Sequence, residues 1–141
     1  MIEIGGWKMP RRRKVMLYKR ELQAMKVLWK NGEATVADVQ KALSKGRKRL
    51  AYTTIATLMS NMEKKGYVTH RASGRTYVYR PLIKWEDVSR GMLTDLLEKV
   101  FDGSPEMLVS TLVEFVPMDR DSLEAIKRLI REREEELKGG D

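Results

Sequence analysis

The stretch Leu50–Pro81, LAYTTIATLMSNMEKKGYVTHRASGRTYVYRP, constrains the fold more than any other part of the chain. Successive helical residues turn by about 100°. On that spacing Ala51, Ile55, Leu58, Met59 and Met62 fall on one side of a helix over Ala51–Lys65, and Thr53, Thr57, Ser60 and Lys64 line the other. Thr54, Ala56 and Asn61 flank that line, and Gly66 supplies the stop. Tyr67–Arg71 and Arg75–Arg80 are rich in β-branched and aromatic residues, with Ala72-Ser73-Gly74 between them as a hairpin turn and Pro81 as the end of the second strand. A helix joined directly to a hairpin needs further helices to cover its apolar side.

Those helices are legible upstream. Leu22, Met25, Leu28 and Trp29 recur at helical spacing in Lys19–Asn31, and Gly32 follows. Thr35 is placed to cap a short helix, Val36–Leu43, with Asp38 at the third position in a capping-box arrangement. Val36, Val39 and Leu43 form its buried stripe. Ser44–Arg49 is a basic turn. Gly5, Gly6 and Pro10 discourage regular structure before residue 18, where Arg11–Lys14 is a basic cluster. Downstream, Trp85–Phe101 carries a wide apolar face. Ser104-Pro105 opens a helix reaching about Val116. Asp119 caps a last helix with Leu123, Ile126, Leu129, Ile130 and Leu137 inside. Glu124–Arg128 and Glu134–Lys138 are i,i+4 pairs on it. The fold class is mainly α with a small β-hairpin: a winged helix-turn-helix followed by three helices. The division is a basic arm over 1–18, a winged helix over 19–82 and a helical domain over 83–141.

Charge divides the chain the same way. Residues 1–83 hold 19 Lys/Arg and 5 Asp/Glu, for +14; residues 84–141 hold 9 and 15, for −6; together they give the net +8. The basic half has the footprint of a polyanion binder; the competing reading is a solvated, charge-rich surface of the kind found in heat-tolerant proteins. The Thr-lined helix face favours DNA. Each exposed Thr costs a few tenths of a kcal/mol of helix propensity relative to Ala, and a solvated helix gains nothing in return. In a major groove, Thr53 and Thr57 offer a hydroxyl to a base or phosphate and a methyl to thymine, and Ala56 offers only a methyl. Thr54 and Ser60 border them, and Asn61 and Lys64 are placed for phosphate. Arg47, Lys48 and Arg49 precede the helix near the backbone path, and Arg71 and Arg75 flank the hairpin tip.

Catalysis is not expected. His70 is the single histidine, there is no cysteine, and no nucleophile–base set, His/Cys metal spacing or phosphate-cradling loop is present, so no cofactor and no metal is called for. The Glu-rich stretch Glu132–Glu136 reads as a solvated helix face. No apolar run reaches the roughly 18 residues of a spanning helix, and the N-terminus has no apolar segment before its basic run. A cytoplasmic location and no membrane partner are the expectation.

The blocks Leu22–Trp29 (LQAMKVLW), Leu50–Met62 (LAYTTIATLMSNM), Glu63–Val68 (EKKGYV), Gly74–Tyr79 (GRTYVY) and Phe101–Val109 (FDGSPEMLV) resemble the penicillinase-repressor (BlaI/MecI) family of winged-helix repressors, from about Leu17 to the C-terminus. The resemblance implies a homodimer held by the C-terminal helices, bound to a palindromic operator in double-stranded DNA and repressing the genes behind it. It maps recognition onto Thr53, Thr54, Ala56 and Thr57 and the wing contact onto Arg71–Arg75. Dimerisation would fall to the apolar positions Val88, Met92, Leu96, Leu112, Leu123, Ile126 and Ile130, because their stripes exceed what a three-helix tail buries alone. Copper-responsive relatives use Cys-x-Cys pairs, which this chain lacks. Antibiotic-responsive relatives are cut by a regulatory protease at an Asn-Phe pair in the helix matching Pro105–Val116; Thr111-Leu112 stands there instead. Two other readings are a MarR-like regulator sensing a small molecule, which usually places dimerising helices ahead of the DNA-binding unit, and a winged-helix module binding protein partners, which has no use for the Thr face.

Overall fold

The computed structural model describes residues 15, 17–46 and 49–139, with the backbone of Glu3–Ile4 and Trp7–Lys8. Those two pairs form a short antiparallel ladder, β1 (Glu3–Ile4) with β2 (Trp7–Lys8), where the sequence predicts no regular structure. The Arg11–Lys14 cluster and Arg47–Lys48 lie outside the described residues. The arm also ends sooner than expected: Leu17 is buried in the core and Val15 packs against it.

The first unit, up to Asp95, begins with α1 (Lys19–Asn31). Its first turn is closed by Glu21, whose Oε1 accepts the Tyr18 N–H at 3.0 Å. It ends at Gly32, where φ of +84° lets the Gly32 N–H reach Leu28 O at 2.7 Å. A two-residue strand, β3 (Ala34–Thr35), leads into α2 (Val36–Leu43). The predicted capping box forms: Asp38 N–H donates to Thr35 Oγ1 at 3.1 Å and Thr35 N–H to Asp38 Oδ2 at 3.0 Å. Then come α3 (Tyr52–Lys64), β4 (Val68–Ser73) and β5 (Thr76–Pro81).

The sheet order is β3-β5-β4, all antiparallel. In the hairpin Ser73 pairs with Thr76, so the connection is the two-residue turn Gly74-Arg75 rather than Ala72–Gly74. Gly74 takes φ of +64° at the first turn position, where a type II′ hairpin turn favours glycine. Pro81 remains paired, with Val68, as the last residue of β5. A central strand accepts proline there because Pro81 lies beyond the reach of β3, which pairs only with Tyr79 and Val78.

Met25 and Leu28 of α1, Val39 of α2, Ile55, Met59 and Met62 of α3 and Val68 of β4 are fully buried together. Ala51, expected on the core side, is instead the exposed N-cap residue of α3. The chain then enters α4 (Trp85–Phe101), whose approach is tied down where Trp29 Nε1–H donates to Ile83 O at 2.9 Å. Val88 joins the winged-helix core and Met92 packs against it.

The second unit runs from Leu96 and holds α5 (Pro105–Phe115) and α6 (Arg120–Gly139). Met107 N–H donates to the Ser104 hydroxyl at 3.2 Å, capping α5 with Pro105 in its first turn. Ser122 N–H donates to Asp119 Oδ1 at 2.8 Å at the start of α6; that bond holds the Asp119 carboxyl below its ordinary value. The expected i,i+4 pairs on α6 are replaced by i,i+3 pairs, Lys127–Glu124 at 3.4 Å, Arg133–Glu136 at 3.0 Å and Lys138–Glu135 at 3.6 Å. Neither α5 nor α6 buries a single residue.

Candidate nucleic-acid interface

The outward face of α3 is set by what anchors its inward face. Ile55, Met59 and Met62, at i, i+4 and i+7, are fully buried and fix the helix's rotation. Its start is fixed by a two-sided clamp from α2: Gln40 Nε2–H donates to Leu50 O at 2.9 Å, and Leu50 N–H donates to Ser44 Oγ at 3.1 Å. With rotation and entry both set, Thr53, Thr54, Thr57, Ser60, Asn61 and Lys64 are exposed and Ala56 is half-buried. The recognition residues expected from sequence therefore share one solvent-facing surface. Tyr52, which the sequence reading does not single out, stands with them, 52% exposed. Its signal in the sequence is an aromatic residue at a helix start, off the apolar stripe.

The first turn of α3 contains no acid, and its N-cap residue, Ala51, makes no side-chain cap bond. The positive end of the helix dipole thus faces solvent uncompensated, as suits an approaching phosphate. Arg49 is exposed just before it and borders a concavity of about 430 Å³ with Lys41, Gln40 and Ser44.

The two wing arginines are not equivalent. Arg75 lies in the turn at the tip, whereas Arg71 lies in β4 opposite Val78, two pairs below the last one. Arg71 Nη2–H donates to Glu33 Oε1 at 3.1 Å. The neighbouring His70 ties the hairpin to the end of α3: its Nδ1 lies 2.7 Å from Glu63 Oε1, and its ring stacks on Tyr77 with centroids 4.3 Å apart. The lone histidine is a structural fastener here.

Every acid between residues 17 and 83 is engaged. Glu21 holds Lys65 Nζ at 2.8 Å, Glu33 holds Arg71, Asp38 caps α2 and Glu63 holds His70. Among the described residues no carboxylate pairs with Arg49, Lys64 or Arg75. Arg49, Lys64 and Arg75 thus present positive charge beside α3 and at the wing without local compensation, as docking a polyanion requires.

The residues expected at a dimer interface divide. Val88 is buried in the winged-helix core, and Met92, half-buried, packs against it. Leu96, Leu112, Leu123 and Ile130 are exposed, between 37% and 51%, and Ile126 is half-buried. Thr111 and Leu112 are both exposed on α5, and the Thr111 hydroxyl donates to Met107 O at 2.9 Å. Among the described residues no His/Cys/Asp/Glu cluster could hold a metal ion, and no helix is long and apolar enough to cross a membrane.

Comparison with known proteins identifies the family. The sequence pattern of the penicillinase repressor family matches residues 17–132. The penicillinase repressor of Bacillus licheniformis is 33% identical over 115 residues, covering 82% of this chain and 87% of that protein. The transcriptional regulator BlaI of Mycobacterium tuberculosis is 32% identical over 116 residues, covering 81% and 82%. A solution structure of the DNA-binding domain of the repressor BlaI matches 57% of this chain and 90% of its own, at 35% identity and a TM-score of 0.45. The family pattern, over residues 17–132, spans the winged helix and most of the helices that follow it, and on that extent and the 33% identity to the Bacillus licheniformis repressor the chain belongs to the penicillinase repressor family.

Proposed function

We propose that this protein is a DNA-binding transcriptional repressor that acts as a homodimer on a palindromic operator. The family consists of transcriptional repressors, not enzymes. One observation carries the DNA reading: the solvent face of α3, from Thr53 to Lys64, is mostly small and polar, its single acid, Glu63, is taken up by His70, and it lies next to a hairpin whose tip is Arg75. A helix enters a major groove only if its outward side chains are short enough to reach base edges. Thr53, Thr54, Ala56 and Thr57 read bases; Ser60, Asn61, Lys64 and Arg49 meet the backbone on either side; Arg71 and Arg75 take phosphates through the wing.

The dimer reading is supported by the apolar surface that α5 and α6 leave uncovered. One winged helix binds few base pairs and does so weakly in salt, whereas two held rigidly together bind at high effective concentration. A cytoplasmic site of action goes with this function. A regulatory protease acting at Thr111-Leu112 has only the exposure of that pair in its favour.

Selection of bound sequences from a random duplex library tests the reading. The expected result is an inverted repeat. Enrichment of a single half-site would remove the dimer from the proposal, and no enrichment at all would remove sequence-specific binding.

A further inference from the structure

We infer that Glu33 is a built-in competitor for DNA phosphate at the wing. Its carboxylate holds the Arg71 guanidinium in the unbound protein, and DNA binding exchanges that carboxylate for a phosphate oxygen. The inference rests on the reading of Arg71 as a DNA contact.

Three features single out this pair. The first is placement. Arg71, Val78 and Thr35 stand in one row across β4, β5 and β3, so their side chains share one face of the sheet. Glu33 is two residues before Thr35, and its carboxylate reaches the same face diagonally across from Arg71. His70, Tyr79 and Ala34 form the next row on the opposite face, where Tyr79 and Ala34 are buried.

The second feature is that Glu33 has no structural task. Glu21 is buried and closes α1, Asp38 caps α2, and Glu63 secures His70 at the end of α3. Glu33 makes a single contact, to one guanidinium nitrogen, between side chains 50% and 58% exposed. A one-pronged pair in water is weak and readily exchanged. Phosphate offers the same guanidinium an acceptor of at least equal quality.

The third feature is charge. Between residues 17 and 83 the other three acids are taken up by the ties that hold the fold, and Glu33 places a carboxylate beside the one strand arginine proposed to meet DNA. While Glu33 holds one guanidinium nitrogen, Arg71 cannot present its full two-pronged fork to a phosphate, so the pair must open for that contact to form. Glu33 thereby lowers affinity on every sequence and restrains binding to non-operator DNA.

A fluorescein-labelled random-sequence duplex, titrated by anisotropy across a salt series, measures the effect. The proteins are the wild type, Glu33→Gln, Arg71→Ala and the double variant, each checked for native circular dichroism. Glu33→Gln is expected to bind about twofold to fivefold tighter and to steepen the salt slope by up to about one unit. Arg71→Ala is expected to bind more weakly, and the Glu33→Gln gain is expected to vanish in its presence. Weaker binding by Glu33→Gln would overturn the inference by making the pair a brace for the wing. A gain that persists in the double variant would overturn it by making Glu33 a distant charge. Unchanged binding by Arg71→Ala would overturn it together with the wing assignment of Arg71, an outcome distinct from the other two.

Discussion

At the scale of single residues, base reading and backbone contact are separable. Thr57 is exposed on the α3 face and makes no contact that folding needs. Valine keeps its shape and methyl but removes the hydroxyl. If that hydroxyl bonds a base edge, Thr57→Val loses roughly 1 kcal/mol of net hydrogen bonding, about fivefold, on the selected operator and little on random duplex. Equal losses on both would reassign Thr57 to the backbone. Arg75 differs because the turn carries it to the wing's end, where no carboxylate among the described residues holds it. Arg75→Ala should weaken operator and random duplex alike and make the salt slope shallower by about one unit. An unchanged slope would place the tip away from DNA. Both residues stand out in the sequence because the roles proposed for them follow from local chemistry. Glu33 is not, because its partner lies in another strand and is reached only through the Thr35–Val78–Arg71 row.

At the scale of elements, the hairpin and helices are written locally and their ties are not. The capping box of Thr35 and Asp38, the stop at Gly32 and the buried stripe of α3 all follow from spacing. Strand β3 carries no such signal: two residues have no periodicity, and only pairing with β5 makes them a strand. The turn closes at Gly74-Arg75 rather than over Ala72–Gly74, because glycine marks a turn without fixing which turn position it occupies. The tie between α1 and α3 is likewise tertiary. Lys65, at the end of α3, donates to the buried carboxylate of Glu21, and that bond raises the lysine above its ordinary 10.5. A lysine whose value is raised on folding contributes stability that is complete below its unfolded value and is lost as pH rises through the folded one. Lys65→Met should therefore lower the melting temperature by several degrees at neutral pH, by leaving Glu21 buried without its cation. The gap from wild type should close as pH climbs beyond 10.5. Thermal melts across that range check this, and a gap independent of pH would assign the loss to packing against Tyr18 and Tyr67 instead.

At the scale of the whole molecule, the open question is what covers the second unit. Val100, Met107, Val113, Phe115, Leu129 and Leu137 are each about half exposed or more, together with Leu96 and Ile130. Scattered apolar exposure is ordinary on any surface. Here most of it is carried by two consecutive helices that bury nothing, each with the apolar spacing of a packed helix, and Leu96 and Val100 at the end of α4 add to it. A surface of that kind is the mark of an interaction site, which needs a partner surface. A second copy of the chain satisfies the requirement symmetrically and doubles the number of recognition helices. Sedimentation equilibrium should then give twice the monomer mass of 16.4 kDa for the wild type. Leu96→Asp and Leu123→Asp each place a charge on an exposed apolar position without touching the winged-helix core. Each should shift the mass toward that of the monomer and weaken operator binding far more than binding to a single half-site, because only the former depends on linked copies. Val88→Asp should behave otherwise: it buries a charge in the first unit and should unfold the winged helix rather than merely separate two copies. A dimer that survives both leucine substitutions would move the interface off these helices, and a wild type that sediments as a monomer would leave the apolar surface to a different protein.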